Sequence, residues 1–172
     1  MIQGALVQAA MVNGPWQWPQ VGILVYNLGE TFQVGTALLV GVMGGATAGC
    51  LAQVAYLVVG LTQIPVFTFG GSWSYLREPT LGYLLGFVPG STLCGYLAFR
   101  LPLTLENLLA SCLAGLGAIH LVGLTYLASQ FPVWADWSPL AWQYTLTRLP
   151  AQLLISCSVA ALSWGLRRGL WL

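Results

Sequence analysis

Ionised side chains stand only at the seams of this chain. Glu30, the adjacent Arg77 and Glu78, Arg100, Glu106, Asp136, Arg148 and the adjacent Arg167 and Arg168 are all that its 172 residues contain. Charged residues make up 5% of the sequence and hydrophobic ones 58%, where an ordinary soluble domain carries about 25% charged. A soluble surface cannot be built from so little charge. A run of about 20 apolar residues does cross a bilayer as a helix, because the helix satisfies its own backbone polar groups. The sequence therefore predicts an all-α integral membrane protein, organised as one membrane domain over residues 1–172.

The same sparsity of charge excludes several functions. All five basic residues are Arg, none stands in a polybasic run, and nucleic-acid binding is not supported. Cys50, Cys94, Cys112 and Cys157 stand singly within apolar segments. With no CxxC pair and no Cys/His cluster they read as small buried helix residues, not as metal ligands or a redox pair. No Walker A motif is present, so the chain is not expected to hydrolyse ATP. Neither HExxH, GxSxG nor paired carboxylates occur, and none of the four acids sits well inside a span, which argues against a proton relay. The expectation is a non-enzyme that binds without an energy source of its own, with no catalytic residue, metal or cofactor.

Taken in order, residues 1–13 are apolar but too few to cross, and predict a short or truncated first helix. Ala5 and Ala9 have the small-xxx-small spacing that lets a second helix approach. Residues 13–20 form an interfacial loop with Trp16 and Trp18. Two short spans follow, 31–43 and 46–61, with Gly41, Gly45 and Gly49 across their junction. These glycines serve either close helix packing or the turn itself. The fourth span is 81–99, kinked at Pro89. The fifth is 105–129, begun by the cap-like Thr104 and by Glu106. A second loop with paired tryptophans covers 132–139, residues 141–149 suit a surface helix, and Pro150 opens the last span to about residue 165. That makes about six transmembrane helices.

Between the third and fourth spans lies a polar and glycine-rich island, residues 65–87. It holds Gly70-Gly71, the Arg77-Glu78 pair, and the aromatics Phe67, Phe69, Trp73, Tyr75, Tyr83 and Phe87. A glycine pair permits a tight turn and aromatics offer flat surfaces to a small ligand. The island reads as a loop closing over a solute, followed by the start of a helix. With six spans, Arg100, Arg167 and Arg168 fall on the cytoplasmic side together with both termini, as the positive-inside bias requires. The island and the tryptophan loops then face outward. Gln33, which presents a donor and an acceptor, lies at the mouth of the 31–61 hairpin. His120, inside the fifth span, is either functional or a neutral imidazole bonded to a backbone group or hydroxyl of a neighbouring helix, and the second is favoured because no acid is near it in sequence.

The run Pro65-Val66-Phe67, Gly70-Gly71, Pro79-Thr80-x-Gly82-Tyr83-Leu84-Leu85-Gly86-Phe87 resembles the signature of the BioY family. These are biotin-binding, substrate-specific (S) components of energy-coupling-factor (ECF) transporters. Thr31-x-Gln33, Leu38-Leu39-x-Gly41 and Ala55-Tyr56-Leu57-x-x-Gly60 are similar to the family's second and third helices, and residues 120–127 to its fifth. The resemblance implies a six-helix protein of the cell (inner) membrane whose outer loop caps biotin. A T component and two cytoplasmic ATPases, which use the ATP, would be its partners. It also implies that Ala5 and Ala9 contact the T component.

The family's last helix opens Pro-Gly-Asp, with Lys following after two apolar residues. This chain has Gln152 and Ile155 at those places. Gln152 retains a carbonyl and an amide for a ureido ring, and Arg77 or Arg148 takes the place of the missing cation toward the valerate. The candidate substrate-binding residues are Gln33, Gly70, Gly71, Tyr75, Arg77, Thr80, Tyr83 and Gln152. An S component for another vitamin-like solute, or a structural membrane subunit that binds none, are the alternatives.

Overall fold

A computed structural model describes residues 8–12, 16, 18–23, 25–62, 67, 75–76 and 78–170. Its elements are β1 (Gln8–Val12), α1 (Trp18–Val21), β2 (Val25–Thr31), α2 (Gln33–Leu61), α3 (Leu81–Arg100), α4 (Leu105–Gln130), α5 (Trp134–Ala141), a π-helical segment (Trp142–Leu146) and α6 (Leu149–Gly169). Among the described residues, four helical stretches are long and apolar enough to cross a membrane: Gln33–Leu61, Leu81–Arg100, Leu105–Gln130 and Trp134–Gly169.

The expected first helix is corrected by β1. Its residues pair antiparallel with β2, Ala10 opposite Asn27 and Val12 opposite Val25. The backbone groups of residues 8–12 are satisfied across this ladder instead of along a helix. Ala9 thus lies in a strand, and Ala5 lies outside the described residues.

α2 is one helical run in hydrogen bonding but not in direction. Gly45 breaks it with φ 81° and ψ −179°, a backbone region reached almost only by glycine. A Cβ placed on Gly49 would lie 3.2 Å from Gly41 Cα, and the Gln33 amide donates to the Tyr56 hydroxyl. A straight helix would hold Gln33 and Tyr56 about 35 Å apart. The chain therefore reverses at Gly45, and 33–44 and 46–61 are the two arms of a hairpin.

The other helices pack closely around it. Ser91 of α3 donates to Ala37 O at 2.7 Å. A Cβ on Gly115 of α4 would stand 2.7 Å from Gly90 O of α3, so only glycine lets these two backbones meet. The core runs through Ala37, Leu38, Val42, Leu84, Cys94, Leu108, Leu116, Ile119 and Val159. α4 begins as its sequence predicts, the Thr104 hydroxyl accepting from Asn107 N at 3.2 Å, and Pro150 stands in the first turn of α6.

The two ends of the bundle differ. At one, Arg167 is buried and donates to Ala98 O at 2.9 Å and to Val42 O at 3.4 Å. Arg100 and Arg168 lie in the last turns of α3 and α6, which finish at this same end. The opposite end gathers the start of α2, the start of α3, the finish of α4 and the start of α6.

Candidate functional site

That second end carries buried polar groups that an apolar bundle does not need. Gln33, at the start of α2, is buried and its Nε2 donates to the hydroxyl of buried Tyr56 in the other arm. Phe67 lies edge-on to Tyr56 at 5.3 Å between centroids and tilted against Tyr75 at 4.9 Å. The Tyr75 and Thr80 hydroxyls are 2.9 Å apart. Burial pushes the Tyr75 phenol above its usual range, only partly offset by the bond to Thr80, so the hydroxyl remains protonated and able to donate.

A second group forms where α3, α4 and α6 converge. The Tyr83 hydroxyl is 2.8 Å from Thr145 Oγ1, and its ring stands edge-on to His120 at 5.6 Å and tilted to Tyr144 at 6.2 Å. His120 Nε2 meets Gln152 Oε1 at 2.7 Å. Both residues are buried. The Arg148 guanidinium lies 5.9 Å from the centre of the Tyr144 ring. It is the cation that the described residues bring nearest to this group.

Of the residues singled out from sequence, Tyr83 and Gln152 thus belong to one group, joined through His120. Gln33 belongs to the neighbouring group, where Tyr75 reaches Tyr56 through the ring of Phe67, and Thr80 joins by its hydroxyl. Gly70, Gly71 and Arg77 lie outside the described residues. Ile155 is buried and presses on α2, its Cγ2 only 2.7 Å from where a Gly35 Cβ would be. An apolar side chain here closes α6 onto α2.

Sequence reasoning missed Tyr56, Thr145 and the partner of His120. Tyr56 had a signal: residues 33 and 56 are nearly equidistant from Gly45, so a hairpin there places them opposite one another. His120 is bonded to a neighbouring helix, as expected, but through the Gln152 amide and not through a backbone group or hydroxyl.

The cluster offers amides, hydroxyls and aromatic faces, with its described cation at the periphery. That suits an uncharged polar ring held by hydrogen bonds and flat contacts, with an acidic tail directed outward. A separate shallow hollow of about 270 Å³ lies among Ala128, Phe131, Pro132, Trp134 and Trp137. It is lined mainly by apolar and indole surface and fits a membrane-interface belt.

Comparison with known proteins gives a consistent result. The model of the BioY family matches residues 4–170. An uncharacterized 21.2 kDa protein from the psbX-ycf33 intergenic region of Cyanophora paradoxa is 32% identical over 142 residues, which cover 83% of this chain and 76% of that one. The biotin transporter BioY of Thermotoga maritima is 34% identical over 128 residues, 74% of this chain and 73% of its own. A solved structure, the S-component for biotin from an ECF-type ABC transporter, superposes with a TM-score of 0.70 at 20% identity. It covers 80% of this chain and 75% of that one, and the likeness is one of fold.

Proposed function

The chain belongs to the BioY family, and from that membership we propose that it is a high-affinity biotin-binding membrane subunit, the S component of an ECF-type vitamin uptake transporter. The observation that carries this reading is the largely neutral cluster at one end of the bundle, where buried Gln33, Tyr75 and Gln152 stand with half-buried Thr80 and Tyr83. Biotin is a fused ring system bearing a ureido group, and its one charge is the carboxylate of a flexible tail. Amide and hydroxyl groups answer the ureido donors and acceptor, and the tyrosine rings cover the bicycle.

Arg77 and Arg148 are the candidates for the carboxylate, since a guanidinium binds it in bidentate fashion. Gly70 and Gly71 belong to the proposed cap. The lack of a nucleotide-binding motif supports a division of labour. A T component and two cytoplasmic ATPases supply the energy, and this chain holds no cofactor. Ala5 and Ala9 are the proposed T-component contact on the family resemblance, with Ala9 in β1 and not on a helix. The arginines at 100, 167 and 168 support placing that end, with both termini, in the cytoplasm of a cell-membrane protein.

Titration of the purified chain with labelled biotin tests the reading. Saturable binding displaced by unlabelled biotin is expected, and Arg77→Ala should weaken it by at least about tenfold while the protein still inserts. No binding would overturn it. The apolar contact of Ile155 with α2, together with Gln152, favours one second reading, a related vitamin-like solute. Binding of such a solute in place of biotin is its signature.

A further inference from the structure

His120 is 7% exposed, and its two ring nitrogens differ in what they meet. Nε2 lies 2.7 Å from Gln152 Oε1. A carbonyl oxygen only accepts, so Nε2 carries the proton and donates. In the neutral ring Nδ1 is then an acceptor. It is buried and has no partner among the described residues. Among the described neighbours, the Tyr83 hydroxyl is paired with Thr145, and the Gln152 carbonyl accepts from Nε2 itself. A buried acceptor left unmet is costly, yet the His120–Gln152 bond fixes the ring so that this acceptor is the nitrogen presented.

We propose that His120 Nδ1 accepts a hydrogen bond from an N–H of the bound solute, and so selects for a ring that carries such a donor. Gln152 acts as the positioning residue that holds the tautomer. The assignment rests on the biotin-binding reading, in which the donor is one of the two ureido N–H groups. It gives the histidine an accepting role beside the Gln152 carbonyl, one lone pair of which already holds the Nε2 proton. Sites built to bond a polar group reject analogues that lack it far more sharply than apolar pockets reject a change of size.

The test compares biotin with its two mono-N-methyl derivatives on the purified full-length chain, as wild type, His120→Phe and His120→Gln. Wild type should bind at least one N-methyl isomer about tenfold or more weakly than biotin. His120→Phe should weaken biotin by a similar factor and bring that isomer to near equality with it. His120→Gln, which restores an acceptor, should recover part of both effects. Equal binding of all three compounds by wild type overturns the assignment even if His120→Phe fails to fold. So does undiminished discrimination in His120→Phe. Failure of wild type to bind biotin overturns the biotin reading itself, and this assignment falls with it.

Discussion

Gln33 and Gln53 are both buried amides in α2, and they should respond oppositely to the same substitution. Gln33 is bonded to Tyr56 across the hairpin, so Gln33→Leu removes a satisfied interaction and should cost about 1–2 kcal/mol. Gln53 is 0% exposed and neither its Nε2 nor its Oε1 has a partner among the described residues. Replacing an unsatisfied buried amide by an apolar side chain of similar size removes a penalty, so Gln53→Leu should raise stability by about 1 kcal/mol or more. Thermal midpoints of the two variants in detergent check the pair, and a fall for Gln53→Leu would show that its amide is engaged. At this scale the sequence disclosed the chemistry of a residue but not its partner. Gln33 and Gln152 stood out because an amide both donates and accepts. Tyr56 and His120 find their partners 23 and 32 residues away; the glycine turn at 45 pointed to the first pairing, and no local pattern encodes the second.

The hairpin is the element on which the site depends, since it alone brings Gln33 to Tyr56. Its turn rests on Gly45. A Cβ there would meet nothing closer than the Phe99 ring at 3.6 Å, so the obstacle to Gly45→Ala is backbone conformation and not space. Residues other than glycine pay about 1–3 kcal/mol in this region, and the thermal midpoint should fall accordingly. Gly117→Ala is the control. Gly117 lies within α4 with nothing within 4 Å of an added Cβ, and alanine there should be neutral or slightly stabilising. Equal effects of the two would mean that the reversal does not depend on glycine. The glycine spacing at 41, 45 and 49 made this turn legible, as Thr104 and Pro150 did the helix starts. β1 was not legible, because a short apolar run does not distinguish strand from helix by composition. The pairing with β2 that decides it is non-local.

At the scale of the whole molecule, polarity runs from an aromatic and amide end to an arginine end, and the arginines are not equivalent. Arg167 is buried and joins three segments, donating from α6 to Ala98 O near the finish of α3 and to Val42 O beside the hairpin turn, while its guanidinium covers the Phe99 ring at 4.2 Å. Both carbonyls lie in the last turn of a helical stretch, where positive charge is favoured. Arg168, one residue on, is exposed and contacts only the Trp164 ring at 5.0 Å among the interactions described. Arg167→Met keeps most of the apolar stem and removes the charged donor, so it should cost about 2–3 kcal/mol, whereas Arg168→Met should change stability by less than about 0.5 kcal/mol. The orientation we propose makes the same two residues differ in a second way. As a positive-inside signal both count alike, so each neutralisation should weaken the topological bias equally. The readout is a cysteine introduced at Asp136, in a chain whose Cys50 and Cys157 are replaced by alanine and whose buried Cys94 and Cys112 are kept, labelled on intact cells with a membrane-impermeant maleimide. Asp136→Cys should label and a cysteine at Leu103 should not. The reverse pattern would turn the aromatic end inward and leave the binding cluster facing the cytoplasm, where it could not capture an external solute.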